Sequence, residues 1–255
     1  MRRLFSRIWP VAIFLAVWEL IVHGFSIPTY ILPAPERVIS KILEARVLLA
    51  DHAMISIFEI FAGFLAAALG GFLIGIVIVY SKRMERMIEP FLVVSQVVPK
   101  VALAPLFIIW FGHGLAPKVI IAATIAFFPV LVNTVLGLKA VEHEILEMMD
   151  SIAASKHQIF WRVRLPNALP YILPSLKVAG LLSVVGAMVG EFVGADKGLG
   201  YLMIVGDVNL DTEMLFAALV IVTLVGLLIY GVVGWIERRV ARRYGRGDAQ
   251  QLLTI

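Results

Sequence analysis

Three stretches of this chain carry no charged residue over a length that crosses a lipid bilayer. Ile60–Ser81 is uncharged for 22 residues, Val119–Leu138 for 20 and Met214–Ile236 for 23. An α-helix rises about 1.5 Å per residue, so about 20 apolar residues traverse a hydrocarbon core about 30 Å thick. The chain is 61% hydrophobic and 16% charged, with a mean hydropathy of +0.96. A soluble domain is about half apolar and about a quarter charged. One soluble core therefore cannot hide these apolar residues, and an integral membrane protein is expected. The absence of Cys removes disulfides, thiolate metal sites and cysteine nucleophiles together.

Three further apolar stretches are interrupted. Ile8–Phe25 contains Glu19, Ile88–Phe111 contains Pro99 and Lys100, and Tyr171–Gly194 contains Lys177 and Glu191. The expectation is a single all-α transmembrane domain over residues 1–255, with six spans near 8–25, 57–80, 88–111, 117–138, 171–194 and 214–236.

Basic residues orient such a domain, because Lys and Arg accumulate in loops on the cytoplasmic side. Of the 22 Lys and Arg, 15 fall in four segments: the start, the connection after the second span, the connection after the fourth, and the tail. The opposite side carries Arg37, Lys41, Arg46, Lys118 and Lys197. The bias alternates with each crossing and places both termini in the cytoplasm. A sequence pI near 9.4 does not point to nucleic acid here, because the basic residues are juxtamembrane and meet anionic lipid instead. Residues 1–24 lack a small-residue cleavage site, so they read as the first span and not as a signal peptide.

The loops differ in character. After Pro28, Pro33 and Pro35, residues Val38, Ile39, Ile42 and Leu43 recur at helical spacing and predict a short surface helix. The connection over 139–170 is long, cytoplasmic and mixed in polarity, the kind of loop that carries function. Glu142–Ile152 reads as one helix. Ser155-Lys156-His157-Gln158 has the S-x-x-Q form of a capping box that opens another. That second helix gathers Ile159, Phe160 and Val163 on one face, and Leu165-Pro166 ends it.

The same loop resembles the EAA loop of ABC transporter permeases, whose pattern is E-A-A, three residues, G, nine residues, I, one residue, L-P. Glu147-Met148-Met149 is followed at the same spacing by Ala153, Val163 and Leu165-Pro166. Met148, Met149 and Ala153 depart from the pattern. If the turn requires positive φ, alanine costs about 1–2 kcal/mol there; otherwise the turn is right-handed or shifted by a residue. The resemblance extends along the chain, through Ile31-Leu32-Pro33-Ala34-Pro35, Gly63-Phe64, Pro99-Lys100-Val101-Ala102-Leu103-Ala104-Pro105-Leu106, Trp110-Phe111-Gly112, Glu191-Phe192-Val193-Gly194, Gly198-Leu199-Gly200-Tyr201-Leu202 and Glu237-Arg238-Arg239. These segments are similar to permeases for nitrate, sulfonate, taurine, bicarbonate and pyrimidine-type solutes.

The resemblance implies a type I importer permease of a bacterial or archaeal cytoplasmic membrane. It implies a second permease copy, two cytoplasmic ATPase subunits carrying ATP and Mg, and an outer solute-binding protein. Residues 139–170 would be the coupling loop between the fourth and fifth spans, with Glu147, Ala153, Ala154, Ser155, Ile159, Phe160, Leu165 and Pro166 meeting the ATPase. No cofactor and no catalysis are expected in this chain, which has no Gly-Lys pair and so no phosphate-binding P-loop.

Other residues have two readings. Lys100 lies deep in the third predicted span, where an ionisable group faces a neighbour or a water-filled path. Pro99 and Pro105 free backbone groups that can line a cavity. Lys100, Gln96 and Glu191 are therefore candidates for the translocation path and gate; the alternative is a structural ion pair between Lys100 and Glu191. Gly186, Gly190 and Gly194 permit close helix contact, with a neighbouring helix or a dimer mate. Glu19 and Glu59, near outer helix ends, read as solvated or capped by Arg. None of the five His stands at metal-ligand spacing with another His or a carboxylate, so no metal site is expected. The rival classes are an ion-coupled secondary carrier, which usually has internal repeats not visible here, and a membrane anchor without transport.

Overall fold

The computed structural model describes the backbone of residues 2–244 and the side chains of residues 9–240 apart from 89, 91–93 and 95–96. Arg246 and the side chains of Arg2, Arg3, Arg7, Arg242, Arg243 and Gln96 lie outside the described residues. All described regular structure is helical: α1 (Arg2–Gly24), α2 (Pro35–Glu44), α3 (Arg46–Tyr80), α4 (Lys82–Val97), a 3₁₀ turn (Lys100–Leu103), α5 (Ala104–Phe111), α6 (Leu115–Lys139), α7 (His143–Ser151), α8 (Lys156–Ile159), a π-helical turn (Phe160–Arg164), α9 (Leu165–Gly194), α10 (Leu199–Val208) and α11 (Thr212–Tyr244). Four continuous runs are long and apolar enough to cross a membrane: Arg46–Tyr80, Leu115–Lys139, Lys156–Gly194 and Thr212–Val240. The apolar part of α1, Trp9–Gly24, is shorter.

Three expectations change. The stretch 88–111 is not one helix. Pro99 has no N–H to continue the α4 ladder and disfavours helical backbone at Val98, which sits extended at ψ 124. The chain restarts as a 3₁₀ turn and then α5. Residues 46–56 are helical and belong to α3, because that stretch contains neither Gly nor Pro to stop it. Leu165-Pro166 does not end a helix. It lies inside the continuous run Lys156–Gly194, where the π-helical turn hands over to α9 and the altered hydrogen-bond pattern accommodates a residue without an N–H.

The chain forms two compact units. One comprises Met1–Ile57 with Ala195–Leu224, the other Phe58–Gly194 with Val225–Ile255. In the first, α2 is amphipathic, starts with Pro35 in its first turn and buries Val38. Lys41 donates to Asp211 at 2.7 Å, Arg37 lies 3.5 Å from Glu213, and the Thr212 hydroxyl donates to the Thr29 carbonyl at 2.6 Å. His52 stacks on Tyr201, with centroids 5.9 Å apart, and its Nδ1 meets the backbone of Gly198 at 3.0 Å. Ser56, fully buried, accepts from the Leu199 N–H at 2.8 Å.

In the second unit α6 is gripped by small residues on both sides. A Cβ on Gly63 of α3 would lie 2.5 Å from Cβ of Ala122, and one on Gly186 of α9 would lie 2.5 Å from Cα of the same residue. Gly190 seats against Lys118 and Gly194 against Ile108. The glycine repeat of α9 therefore faces α5 and α6 of its own chain, not a dimer mate. The core between these helices contains Ala67, Ala126, Val130 and Ala179, with Phe64, Phe127, Leu176 and Leu182 packed around them. Close approach gains dispersion contacts that lipid cannot displace. Lys139 at the end of α6 pairs with Glu85 in the first turn of α4, and Lys177 within α9 pairs with Glu237 of α11. Large apolar residues such as Phe14, Leu20, Leu73, Leu227 and Leu228 stay exposed, as a lipid-facing surface requires.

Candidate functional site

The loop after α6 folds as two short helices around a tight turn. Glu142 precedes α7, and Ile152 follows it. The Ala153 N–H donates to the Asp150 carbonyl at 2.9 Å, and the Ala154 N–H to that of Met149 at 3.0 Å. This double bond pattern is a Schellman C-cap, which needs a left-handed residue at the position of Ala153. Ala153 has φ 53. Of the alternatives left by the sequence, the positive-φ turn is the one adopted, and a residue with a Cβ bears its cost. Ser155 then opens α8 with both halves of the predicted capping box: its Oγ accepts from the Gln158 N–H at 3.3 Å, and its own N–H donates to Gln158 Oε1 at 2.8 Å.

The outward residues are not the expected ones. Ile159, Phe160 and Val163 are half-buried, and Phe160 packs against the cluster of Leu138, Ala168 and Ile172 and against Tyr80, with centroids 6.3 Å apart. The cause is the π-helical turn, which closes with the Leu165 N–H on the Phe160 carbonyl and rotates this face onto the chain. Leu165 and Pro166, also half-buried, begin α9. The exposed apolar side chains are Met148, Ile152 and Trp161, at 56%, 67% and 55%. Glu147 is exposed and lies 3.2 Å from His143. Ala153 and Ser155 are exposed and Ala154 is half-buried. Helical spacing gathers Ile145, Met148, Met149 and Ile152 on one side of α7, whereas Trp161 carried no sequence signal as a contact, because a π turn cannot be read from periodicity.

Lys100 stands at the break between α4 and α5. Its Nζ lies 4.8 Å from the centroid of the Phe128 ring, at the wall of a cavity of about 290 Å3 that Pro129, Val132 and Asn133 also line. Asn133 Nδ2 donates to the Pro129 carbonyl at 2.8 Å, leaving its amide oxygen for another donor. Among the described residues no carboxylate forms an ion pair with Lys100.

Glu191 sits elsewhere, so the proposed Lys100–Glu191 pair is not what the structure contains. Lys118 Nζ donates to Glu59 Oε1 at 2.8 Å, and the carboxyl of Glu191 lies against that of Glu59. Glu59, Lys118 and Glu191 are 0%, 3% and 1% exposed. Glu59 is thus not solvated, and Lys118 is inside α6 instead of in an outer loop. Each ionisable residue flanks an apolar stretch, and nothing local in the sequence tells a solvated flank from a buried partner 59 positions away. Glu19, His23 and Glu36 bring ligand atoms within 4.8 Å of one another, a spacing the sequence reading did not find. His23 Nδ1 already contacts the Glu19 carbonyl at 3.1 Å, and two of the three residues are exposed.

Bundled apolar helices of this length, with a turn-linked helix pair after the fourth predicted span, define a polytopic membrane subunit. The chain belongs to the family of binding-protein-dependent transport system inner membrane components, whose model matches residues 60–242. A probable ABC transporter permease protein of Haemophilus influenzae is 33% identical over 237 residues, covering 93% of this chain and 97% of that one. The formylaminopyrimidine transport permease protein ThiX of Halalkalibacterium halodurans is 33% identical over 241 residues, covering 93% and 96%. An inward-facing structure of the MetNI methionine ABC transporter shares the fold, with a TM-score of 0.67 at 19% identity, covering 77% of this chain and 98% of that one. The protein is a multi-pass inner-membrane permease subunit of an ABC importer. It translocates solute and does not hydrolyse ATP, which falls to an ATPase partner, and a binding protein supplies the solute. Neither rival class, secondary carrier or inert anchor, fits this membership.

Proposed function

We propose that two copies of this chain form a twelve-span pathway, each with six crossings, with both termini and the 139–170 loop in the cytoplasm. The loop docks two ATPase subunits, one per copy. The observation that carries this reading is the turn itself: an exposed Schellman cap held left-handed at Ala153, flanked by exposed Met148, Ile152 and Trp161. Strain at such a position persists only where the surroundings fix it, and it concentrates at functional segments. Glu147, Ala153, Ala154 and Ser155 shape the docking surface, Met148, Ile152 and Trp161 supply its apolar anchors, and Ile159, Phe160, Leu165 and Pro166 seat it on the permease.

The solute is a small anionic or heterocyclic organic molecule. Permeases named for formylaminopyrimidine in H. halodurans and for aliphatic sulfonates in Bacillus subtilis, each 33% identical, support this class. Lys100, with Gln96 on α4, lies on the path, and Glu191 belongs to its outer gate. A cation beside an apolar cavity without a carboxylate partner favours an anionic group.

Replacing Ala154 with Asp tests the docking. An unpaired charge buried in a small contact costs several kcal/mol, and about 1.4 kcal/mol is a tenfold loss of affinity. The permease should still insert, while the ATPase no longer co-purifies and uptake stops. Normal ATPase recovery and normal uptake would overturn the assignment.

A further inference from the structure

Two side chains at the end of the 139–170 loop, Phe160 and Arg164, fasten it to α3 and α6. Arg164 is the last residue of the π-helical turn, and its Nη1 donates to the Leu138 carbonyl at 3.0 Å. Leu138 lies in the last turn of α6, where carbonyls have no intrahelical donor and the helix end is partially negative. The guanidinium also lies 5.6 Å from the ring centroid of Tyr80, the last residue of α3. The other side of the connection is Phe160, which packs on Tyr80 and next to Leu138. Phe160 and Arg164 thus grip α3 and α6 together. The π turn sets the aim of Arg164: removing the extra residue would rotate it by about 100° around the helix.

We propose that Arg164 is a positioning residue that makes the docked loop and the adjoining ends of α3 and α6 move as one body, so that ATPase closure reaches the spans. The inference rests on the docking role given to the loop above. A loop that docks without this link would follow the ATPase while α3 and α6 lag behind. Arginine suits the task because its planar fork serves a carbonyl and an aromatic face at once.

The test uses the intact complex of permease and a cysteine-free ATPase partner in lipid nanodiscs. The permease has no native cysteine, so nitroxide labels go only where cysteines are placed: Asp150→Cys on α7 and Lys82→Cys just beyond α3. ATP with vanadate should change label mobility at both positions in the otherwise native chain. In Arg164→Met, ATPase recovery, basal hydrolysis and the Asp150→Cys response should stay, while the Lys82→Cys response falls about tenfold. Arg164→Lys, which keeps a cationic donor, should restore part of it. An undiminished Lys82→Cys response overturns the proposal, and so does parallel loss at both labels, which marks a merely structural role. If Arg164→Met does not assemble, Tyr80→Leu carries the same comparison, and failure of both to assemble also rejects the link. Absence of ATPase, or a silent Asp150→Cys label in the native background, shows instead that the docking reading has failed, and the link with it.

Discussion

Replacing Lys118 with Met should be the most damaging single change in the membrane-embedded part of the molecule. Methionine nearly matches the lysine stem in length and keeps its packing under Gly190, so the loss is electrostatic. In the native chain the ammonium is 2.8 Å from Glu59, and the carboxyl of Glu191 adjoins Glu59. All three residues are at most 3% exposed, so water cannot replace the missing cation. Breaking a buried pair by removing one partner costs about 3–5 kcal/mol. At about 2–4 °C per kcal/mol for a chain of this size, the melting temperature should fall by about 6–20 °C. The assay is thermal unfolding of the purified permease followed by loss of the monodisperse chromatographic peak. Adding Glu59→Gln should recover more than half of the loss, because a neutral amide no longer needs the cation. A single mutant melting within about 2 °C of the native protein, below the shift expected from 1 kcal/mol, would refute the reasoning. A double mutant no better than the single would do so as well.

Three further outcomes are expected. Lys100→Met should preserve assembly and melting temperature but abolish most uptake of the transported solute, with Lys100→Arg retaining some; unchanged uptake removes Lys100 from the path. Ala153→Gly relieves about 1–2 kcal/mol of left-handed strain and adds about 0.4–1 kcal/mol of unfolded-chain entropy. The net gain, at most about 1.6 kcal/mol, should slow hydrogen exchange at the Ala154 amide by up to about fifteenfold, whereas faster exchange contradicts the strained cap. A reporter fused after Ile255 should be active only in its cytoplasmic form, and activity of an exported reporter would reject the six-span orientation.

Much of the fold was legible because bilayer spans and caps are local. The uncharged runs from Val119 and Met214 lie within α6 and α11, that from Ile60 fills the second half of α3 and ends one residue beyond it, Pro35 starts α2, and Ser155 with Gln158 closes the capping box. What escaped was non-local or rested on one residue's geometry. Pro99 and Lys100 sit where a hydropathy pattern continues unbroken although the backbone does not. Glu59 and Lys118 each flank an apolar stretch like any solvated charge, yet they meet in the core. The π turn over Phe160–Arg164 shifts the apolar face by one residue, so an α-periodic reading turned Phe160 outward when it packs inward. The candidate docking loop was found by spacing, and its contact residues were altered by that shift.

The central claim is that the 139–170 turn is where the ATPase engages this permease. A photoreactive benzophenone amino acid in place of Ile152, 67% exposed and one residue before the left-handed Ala153, tests it in cells that co-express the transporter's subunits. Irradiation should give one adduct whose mass and peptides identify the ATPase subunit, and the same probe at exposed Tyr30 should give none with that subunit. A probe at Ile152 that cross-links only to lipid, or to nothing, while the complex remains assembled would contradict the account.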